Sequence, residues 1–302
     1  MTLAAILLLV ISAAMHASWN FISKKNSPTG AFLLVANTLG CLIFLPFVFL
    51  FWDRFGFFPK EAWILVMAAG VFQALYYTSL AGAYRAGDMS LAYPLARSSP
   101  VIVVTFVTFM LGQGDTISSL CVFGIILVVA GCFMVPMATF RDFRLRNYLC
   151  RTCAFALLAA VGTAGYSIVD AEALRAIRTT MRGADSIVVV TILYAFAEAL
   201  ASSLFLFLYV SARASERFQL GRVMKTELRM AFVTGIGIYL TYALVLISMS
   251  MVKNVSYVVG FRQLSIPIGV FLGVVFLKEP VSKPKIYGVA TLVTGLLLIA
   301  TG

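Results

Sequence analysis

The chain has 302 residues, of which 62% are hydrophobic and only 12% are charged. A soluble domain carries about a quarter of charged residues because water must wet its surface, so this composition indicates a helical protein that crosses a membrane many times. The net charge of +11 does not indicate a nucleic-acid partner, since the basic residues lie in short loops and form no patch with interleaved aromatics.

Apolar runs separated by polar, glycine or proline turns predict ten membrane spans. They cover residues 3–23, 29–51, 61–83, 89–111, 116–138, 149–171, 186–211, 230–250, 254–277 and 281–301. The first run is predicted to be a retained helix, because no basic residue precedes it and it continues to Phe21. The longest polar stretches, 139–148, 175–185 and 213–229, are predicted to be loops.

The two halves of the chain share a pattern. A shift of 166 residues brings Arg97 within one residue of Arg262. Since each half has five spans, an odd number, the second half must enter the membrane upside down. The sequence therefore predicts an all-α membrane protein of ten transmembrane helices, arranged as two inverted five-helix repeats over residues 1–138 and 149–302.

Glycines recur at the same spacing in spans 5 and 10, as Gly124 and Gly131 and as Gly288 and Gly295. Small residues let helix backbones approach closely in a membrane. This face is predicted to be scaffold, or the contact surface of a possible homodimer, and not a binding site.

Lysine and arginine are distributed unequally between the two predicted sides of the membrane. Fifteen lie on the side reached after the odd-numbered spans, six lie on the other side, and two lie deep within spans, which accounts for all 23. The positive-inside rule then predicts a multi-pass protein of the inner (plasma) membrane with both termini outside the cytoplasm.

Arg97 and Arg262 are the two basic residues inside apolar runs, each nine residues from the start of its run. At 1.5 Å per residue this is a depth of about 13 Å in a hydrocarbon layer about 30 Å thick. Because a central arginine costs about 2.5–3.5 kcal/mol on insertion scales, such residues usually face a bundle interior. The pair is predicted to bind an anionic group of a substrate, although Arg262 could instead reach the near surface or pair with a loop acid.

Other polar residues recur at helical spacing and mark inward faces. The further predicted substrate-binding residues are His16, Trp19, Asn20, Gln73, Tyr77, Tyr93, Tyr166, Tyr239, Tyr242 and Gln263. Alternatives remain open, since Trp19 and membrane tyrosines could belong to the interfacial aromatic belt and His16 could be a packing residue. Asp170 and Glu172, near the predicted end of span 6, are expected to be solvated.

Glu198 is the deepest carboxylate, and together with His16 it is a candidate for proton coupling. A structural hydrogen bond between helices is the alternative for Glu198. Broken half-helices of the kind that bind sodium are not evident, so proton coupling or exchange is expected. The chain has one histidine and no HExxH or GxSxG motif, so no enzyme, metal or cofactor is predicted.

The stretches MHASWNFISKK, AGAYRAGDMSLAYPLARSSPVIV and VVFLKEP resemble the EamA branch of the drug/metabolite transporter superfamily over nearly the whole chain. The resemblance implies a secondary transporter whose central cavity is lined by helices 1, 3, 4, 6, 8 and 9. Members of the family usually look to have cytoplasmic termini, whereas the charge count of this chain predicts that both termini lie outside the cytoplasm. With the arginine pair, the hypothesis is alternating-access transport, within the lipid bilayer, of an amino acid, phosphonate-like compound or other zwitterionic or anionic metabolite. A channel or a lipid scramblase is the alternative.

Overall fold

A computed structural model describes residues 2–24, 29–86, 89–110, 112, 114–135, 137–140, 151–181, 186–277 and 280–302. Within these ranges all regular secondary structure is helical. The α-helices are α1 (Leu3–Lys24), α2 (Gly30–Leu42), α3 (Leu45–Leu50), α4 (Lys60–Ala86), α5 (Met89–Met110), α6 (Ser119–Met134), α7 (Arg151–Thr180), α8 (Ile187–Ala212), α9 (Ala214–Arg222), α10 (Leu228–Met249), α11 (Val255–Phe261), α12 (Ser265–Leu277) and α13 (Lys283–Thr301).

Six stretches of the described chain are long and apolar enough to cross a membrane, and four shorter apolar helices accompany them. The six lie at Lys60–Ala83, Cys153–Thr180, Ile187–Ala212, Ala214–Met249, Val255–Leu272 and Lys283–Thr301. The shorter ones are Leu3–Trp19, Gly30–Leu42, Ser99–Met110 and Ser119–Met134. The protein therefore crosses the membrane several times, while the total of ten spans stays a prediction.

Two predicted spans are interrupted in the structure. Span 2 divides into α2 and α3, and Pro46 lies in the first turn of α3, where its missing N–H is tolerated. Span 9 divides into α11 and α12 around a 3-10 turn at Arg262–Leu264. Pro267 follows this turn and has no N–H to donate to the preceding helical turn. This break corrects the expectation of an uninterrupted helix.

Two stretches predicted to be loops are largely helical. α7 continues to Thr180, nine residues past the predicted end at 171. Residues 214–227 form α9 and a π-helical turn that leads directly into α10. The resulting continuous helical segment of 36 residues is longer than the roughly 20 that a bilayer requires. The polar residues of these stretches thus mark where the helices leave the apolar layer, but they do not mark where the helices end.

The helices pack in matching pairs. The contact of α4 with α7 matches that of α10 with α1. The contact of α4 with α8 matches that of α10 with α2. The contact of α5 with α7 matches that of α12 with α1. Each pair becomes its counterpart when the corresponding helices of the two predicted halves are exchanged. This pairing is what a duplicated chain requires, while the inversion of the halves stays a prediction.

α6 and α13 meet along the predicted glycine face. A Cβ on Gly124 would lie 2.7 Å from the Gly295 carbonyl oxygen, and one on Gly131 would lie 2.6 Å from that of Gly288. These glycines therefore hold two helices of one chain together, which agrees with the scaffold interpretation. The possible homodimer stays a prediction, and these four residues are not available for it.

Candidate functional site

Two carboxylates lie fully buried where α7 and α8 face the bundle interior. Asp170 and Glu198 are each 0% exposed. The Tyr194 hydroxyl donates to Asp170 Oδ1 at 2.8 Å, and the Tyr242 hydroxyl donates to Asp170 Oδ2. Gln73 Nε2 of α4 donates to Glu198 Oε1 at 2.8 Å. The carboxylates thus connect four helices, α4, α7, α8 and α10, through side-chain hydrogen bonds.

The burial of Asp170 corrects the expectation that this residue is solvated. Asp170 lies next to the predicted end of span 6, but its side chain is enclosed by α8 and α10 through the bonds from Tyr194 and Tyr242. Glu172 is different, since it pairs with Arg175 at 3.3 Å and its side chain is 37% exposed. For Glu172 the expectation of solvent contact agrees with the structure.

Arg262 brings a positive charge to the same region. It lies in the 3-10 turn between α11 and α12 and is 9% exposed. Its Nη2 donates to the Tyr166 hydroxyl of α7 at 3.4 Å, and the guanidinium acts electrostatically on both Asp170 and Glu198. Arg262 therefore points into the bundle and not towards the membrane surface, and the site combines charges of both signs.

Tyrosine rings line the region between these charged groups. The ring of Tyr166 stands edge-on to that of Tyr242, with centroids 5.5 Å apart, and 6.0 Å from that of Tyr76. Tyr76 in turn contacts Tyr77, with centroids 5.2 Å apart. Tyr77 and Tyr166 are buried, so they do not belong to an interfacial belt. Together the rings form an aromatic wall beside the carboxylates.

Tyr239 and Gln263 are also buried, but their polar groups bond to backbone. The Tyr239 hydroxyl donates to the Ile192 carbonyl at 3.4 Å, and its ring packs on Phe44 at 4.1 Å. Gln263 Nε2 donates to the Val259 carbonyl of its own helix at 3.1 Å. Both side chains therefore support the site's framework through these bonds.

His16 and Trp19 lie together on the inward face of α1. Their rings meet edge-on at 4.9 Å, and both residues are buried. Trp19 packs closely on α10, where a Cβ on Gly237 would lie 2.9 Å from it. Trp19 is therefore not part of a surface belt.

Three predicted residues fall outside what the structure describes. The side chains of Asn20, Tyr93 and Arg97 are not among the described ones, although their backbones lie in α1 and α5. The prediction that Arg97 faces the same site as Arg262 therefore stays a prediction.

Sequence reasoning missed Tyr194 and the importance of Asp170. A signal for both was present, because Tyr166 and Asp170 on α7 are four residues apart, as are Tyr194 and Glu198 on α8. Residues at this spacing share one helix face, so each pair forms one polar stripe.

The first part of the sequence is similar to a known protein family. The sequence profile of the EamA-like transporter family matches residues 3–137. This part of the chain is therefore similar to the EamA-like transporter family. None of the curated proteins matches the chain in sequence. A crystal structure of a protein with 16% sequence identity superposes with a TM-score of 0.64, over 98% of this chain and 97% of its own. At this identity the likeness concerns the fold alone.

The matched residues include Gln73 of the buried cluster, while Asp170, Glu198 and Arg262 lie outside them. Two buried polar atoms of the cluster, Gln73 Oε1 and Glu198 Oε2, have no hydrogen-bond partner of ordinary geometry among the described residues. The same holds for Trp19 Nε1, Ser167 Oγ and Gln263 Oε1 elsewhere in the bundle. Buried polar atoms are normally satisfied by protein or water, so these atoms have capacity to bind water or a polar solute.

Proposed function

We propose that the protein is a secondary transporter that moves a small zwitterionic or anionic organic solute by alternating access. The observation that carries the proposal is the burial of Asp170, Glu198 and Arg262 within one cluster. Ionisable residues inside membrane spans are costly and mark substrate or ion pathways. A purely structural membrane protein has no reason to keep three of them together.

The chemistry of the cluster favours a zwitterion with an amino-acid-like group. Arg262 offers a planar fork of donors that matches a carboxylate or phosphonate. Asp170 and Glu198 offer the opposite charge for an ammonium group, and the tyrosine rings offer a flat surface and a quadrupole for an organic portion or a cation. Amino acids are therefore the first substrate class, and phosphonate-like compounds are the second.

Glu198 and His16 are the proposed proton carriers. Glu198 is fully buried, and one of its two oxygens is bonded to Gln73. A carboxyl group in this environment can exchange a proton when the site opens to one side of the membrane. Exchange of one solute for another without net proton movement is the alternative coupling.

The first step of the test is a ligand-stabilisation screen of the purified protein with amino acids, phosphonates, sugar phosphates and organic cations, since a ligand that binds the folded state raises its melting temperature. The solute that stabilises the protein most is then used as a radiolabelled substrate in proteoliposomes. We expect saturable uptake that speeds up when the same solute is present inside the vesicles. A channel or scramblase would show no such trans-stimulation.

Arg262 is then replaced in the same assay. Arg262→Lys keeps the charge and loses the fork, and Arg262→Gln loses both, so transport of an anionic solute should fall in the lysine variant and fall further in the glutamine variant. Arg229→Gln is the control, because Arg229 is exposed on α10 away from the cluster. Normal transport by both Arg262 variants would reject the role of this residue in substrate binding.

A further inference from the structure

A second polar cavity lies near the end of α7, apart from the buried cluster. It opens between α5, α7 and the turn from α10 to α11, and it has a volume of about 100 Å³. Since a water molecule needs about 10–15 Å³ measured in this way, the cavity is large enough for a phosphate or carboxylate group but not for a whole metabolite. Its lining residues on α7, such as Ile168 and Arg175, lie on the opposite face of that helix from Asp170.

The cavity is basic. Arg175, Arg178 and Lys253 line it, together with a single carboxylate, Glu172. Glu172 is already paired with Arg175 at 3.3 Å, so two positive charges remain without a counter-charge from the described lining. Arg175 and Arg178 are three residues apart on one helix, where like charges repel each other. An anion in the cavity would offset this repulsion.

Arg178 supplies an independent indication of a ligand. Its Nε is buried and has no hydrogen-bond partner among the described residues. A buried donor is costly to leave unsatisfied, and the planar guanidinium is the side chain best matched to the oxygens of a phosphate. The lining Nε–H is therefore positioned to donate to an oxygen of a bound anion.

The surroundings of the cavity decide what carries this anion. The apolar run of α7 ends near residue 171 and the polar lining residues follow it, which indicates a position near the boundary between hydrocarbon and headgroups. On α5, which contributes the lining residue Thr108, the large apolar side chains of Phe106, Phe109 and Met110 are exposed, mostly on the face turned away from Thr108. A basic cavity beside a helix with an apolar outer face matches a molecule with an anionic head and an acyl chain.

We propose that this cavity binds the headgroup phosphate of an anionic phospholipid, with an acyl chain lying along α5. The ligand chemistry, a phosphate group, is shared with free inorganic phosphate. The lipid is favoured because the cavity lies near the membrane boundary and because α5, which contributes to its lining, has an exposed apolar outer face. The site is separate from the buried cluster, so it does not depend on the transport proposal.

The test measures lipid binding by the delipidated protein in a neutral detergent. Phosphatidylglycerol, phosphatidylcholine and inorganic phosphate are titrated separately, with the melting temperature as the readout. We expect phosphatidylglycerol to raise the melting temperature at concentrations where phosphatidylcholine and inorganic phosphate do not. Stabilisation by inorganic phosphate alone, or equal stabilisation by both lipids, would overturn the proposal.

Variants then locate the site. Arg178→Gln and Lys253→Gln should each weaken the apparent affinity for phosphatidylglycerol about fivefold, since a basic residue near the membrane surface contributes about 1 kcal/mol. Lys253 is exposed, so Lys253→Gln keeps the test decisive if the Arg178 variant does not fold. Lys60→Gln is the matched control, because Lys60 is exposed on the same predicted side and does not line the cavity. Unchanged affinity in Lys253→Gln would place the lipid elsewhere.

Discussion

Asp170 organises the buried cluster because each of its oxygens accepts a hydroxyl from a different helix. Tyr194 of α8 bonds one oxygen and Tyr242 of α10 bonds the other. A carboxylate can satisfy both donors at once, since it has two accepting oxygens and no donor. The geometry therefore depends on the carboxyl group itself and not only on a polar residue of similar size.

Asp170→Asn tests this dependence on the second oxygen. Asparagine keeps one carbonyl acceptor and turns an NH2 donor towards the other hydroxyl, whose oxygen can accept it only if the hydroxyl proton turns away, so that buried proton loses its acceptor. We expect a loss of about 1–3 kcal/mol of stability, measured as a fall of several degrees in the melting temperature of the detergent-solubilised protein. Asp115→Asn, at an exposed position, should leave it unchanged. An unchanged melting temperature in Asp170→Asn would show that the two hydroxyls do not need both oxygens.

Glu198→Gln separates proton coupling from substrate binding. Glutamine is similar in size and still accepts a bond from Gln73, but it cannot release a proton. We expect proteoliposomes with this variant to exchange solute across the membrane while failing to accumulate it under a pH gradient at fixed voltage. His16→Gln examined in the same way shows whether the histidine shares the role. Accumulation at the normal level in both variants would leave exchange or facilitated diffusion as the mechanism.

At the scale of single elements, helix ends were harder to predict than helix interiors. The apolar runs identified where helices lie, because a polar residue in lipid is costly. They did not locate the end of α7, since a helix can continue into water once its side chains are polar. Nor did they indicate that the Asp170 side chain is buried against α8 and α10. The pairing of Gln73 with Glu198, 125 residues apart, depends on how α4 and α8 pack, and no local spacing records it.

Glu216 shows how a polar residue of a predicted loop can join three helices. Its carboxylate accepts from the Ala31 N–H at the start of α2 at 3.0 Å and pairs with Arg85 of α4 at 2.6 Å. Burial disfavours the charged form of Arg85, but the hydrogen bond and charge of Glu216 outweigh it and raise the pKa of the guanidinium. A negative charge is also favourable at the amino-terminal end of a helix. α9 is thereby fixed against α2 and α4.

The contact between α6 and α13 gives an element-scale prediction. Gly124→Ala would place a methyl group 2.7 Å from the Gly295 carbonyl oxygen, which is backbone and cannot move aside without separating the helices. We expect a loss of about 1–3 kcal/mol, seen as a lower melting temperature. Gly269→Ala in α12 is the control, because nothing lies within 4 Å of its added Cβ. That variant should be neutral or more stable, since alanine loses less conformational entropy in a helix. Equal shifts in both variants would contradict close packing at Gly124.

For the whole molecule, the sequence predicted the class and the general architecture more securely than the site. Composition indicated a membrane protein, and the duplicated pattern agrees with the paired packing of the helices. The two-arginine hypothesis stays a prediction, because the side chain of Arg97 is not among those described. The structure adds that Arg262 acts electrostatically on two carboxylates, Asp170 and Glu198. Sequence spacing did not reveal this, since it depends on which residues meet in three dimensions, and in our proposal these opposite charges favour a zwitterion.

The orientation of the whole chain in the membrane can be tested at residues in its loops. The excess of lysine and arginine after the odd-numbered spans predicts that Asp53 faces away from the cytoplasm and that Arg217 faces it. Single cysteines at these positions can report their side, since both lie outside the predicted spans. Cys41, Cys121, Cys132 and Cys153 are buried and should react little, and Cys150 is replaced by serine in the parent protein.

A membrane-impermeant maleimide should then label Asp53→Cys in intact cells, because this side chain is exposed. Arg217→Cys, on α9, should be labelled only after the membrane is permeabilised. Both variants are also reacted with a membrane-permeant maleimide, and this reaction controls for differences in accessibility between the two cysteines. The opposite labelling pattern would place Arg217 outside and the termini in the cytoplasm. The positive-inside argument would then fail for this chain, while the buried cluster and its proposed substrate class would be unaffected.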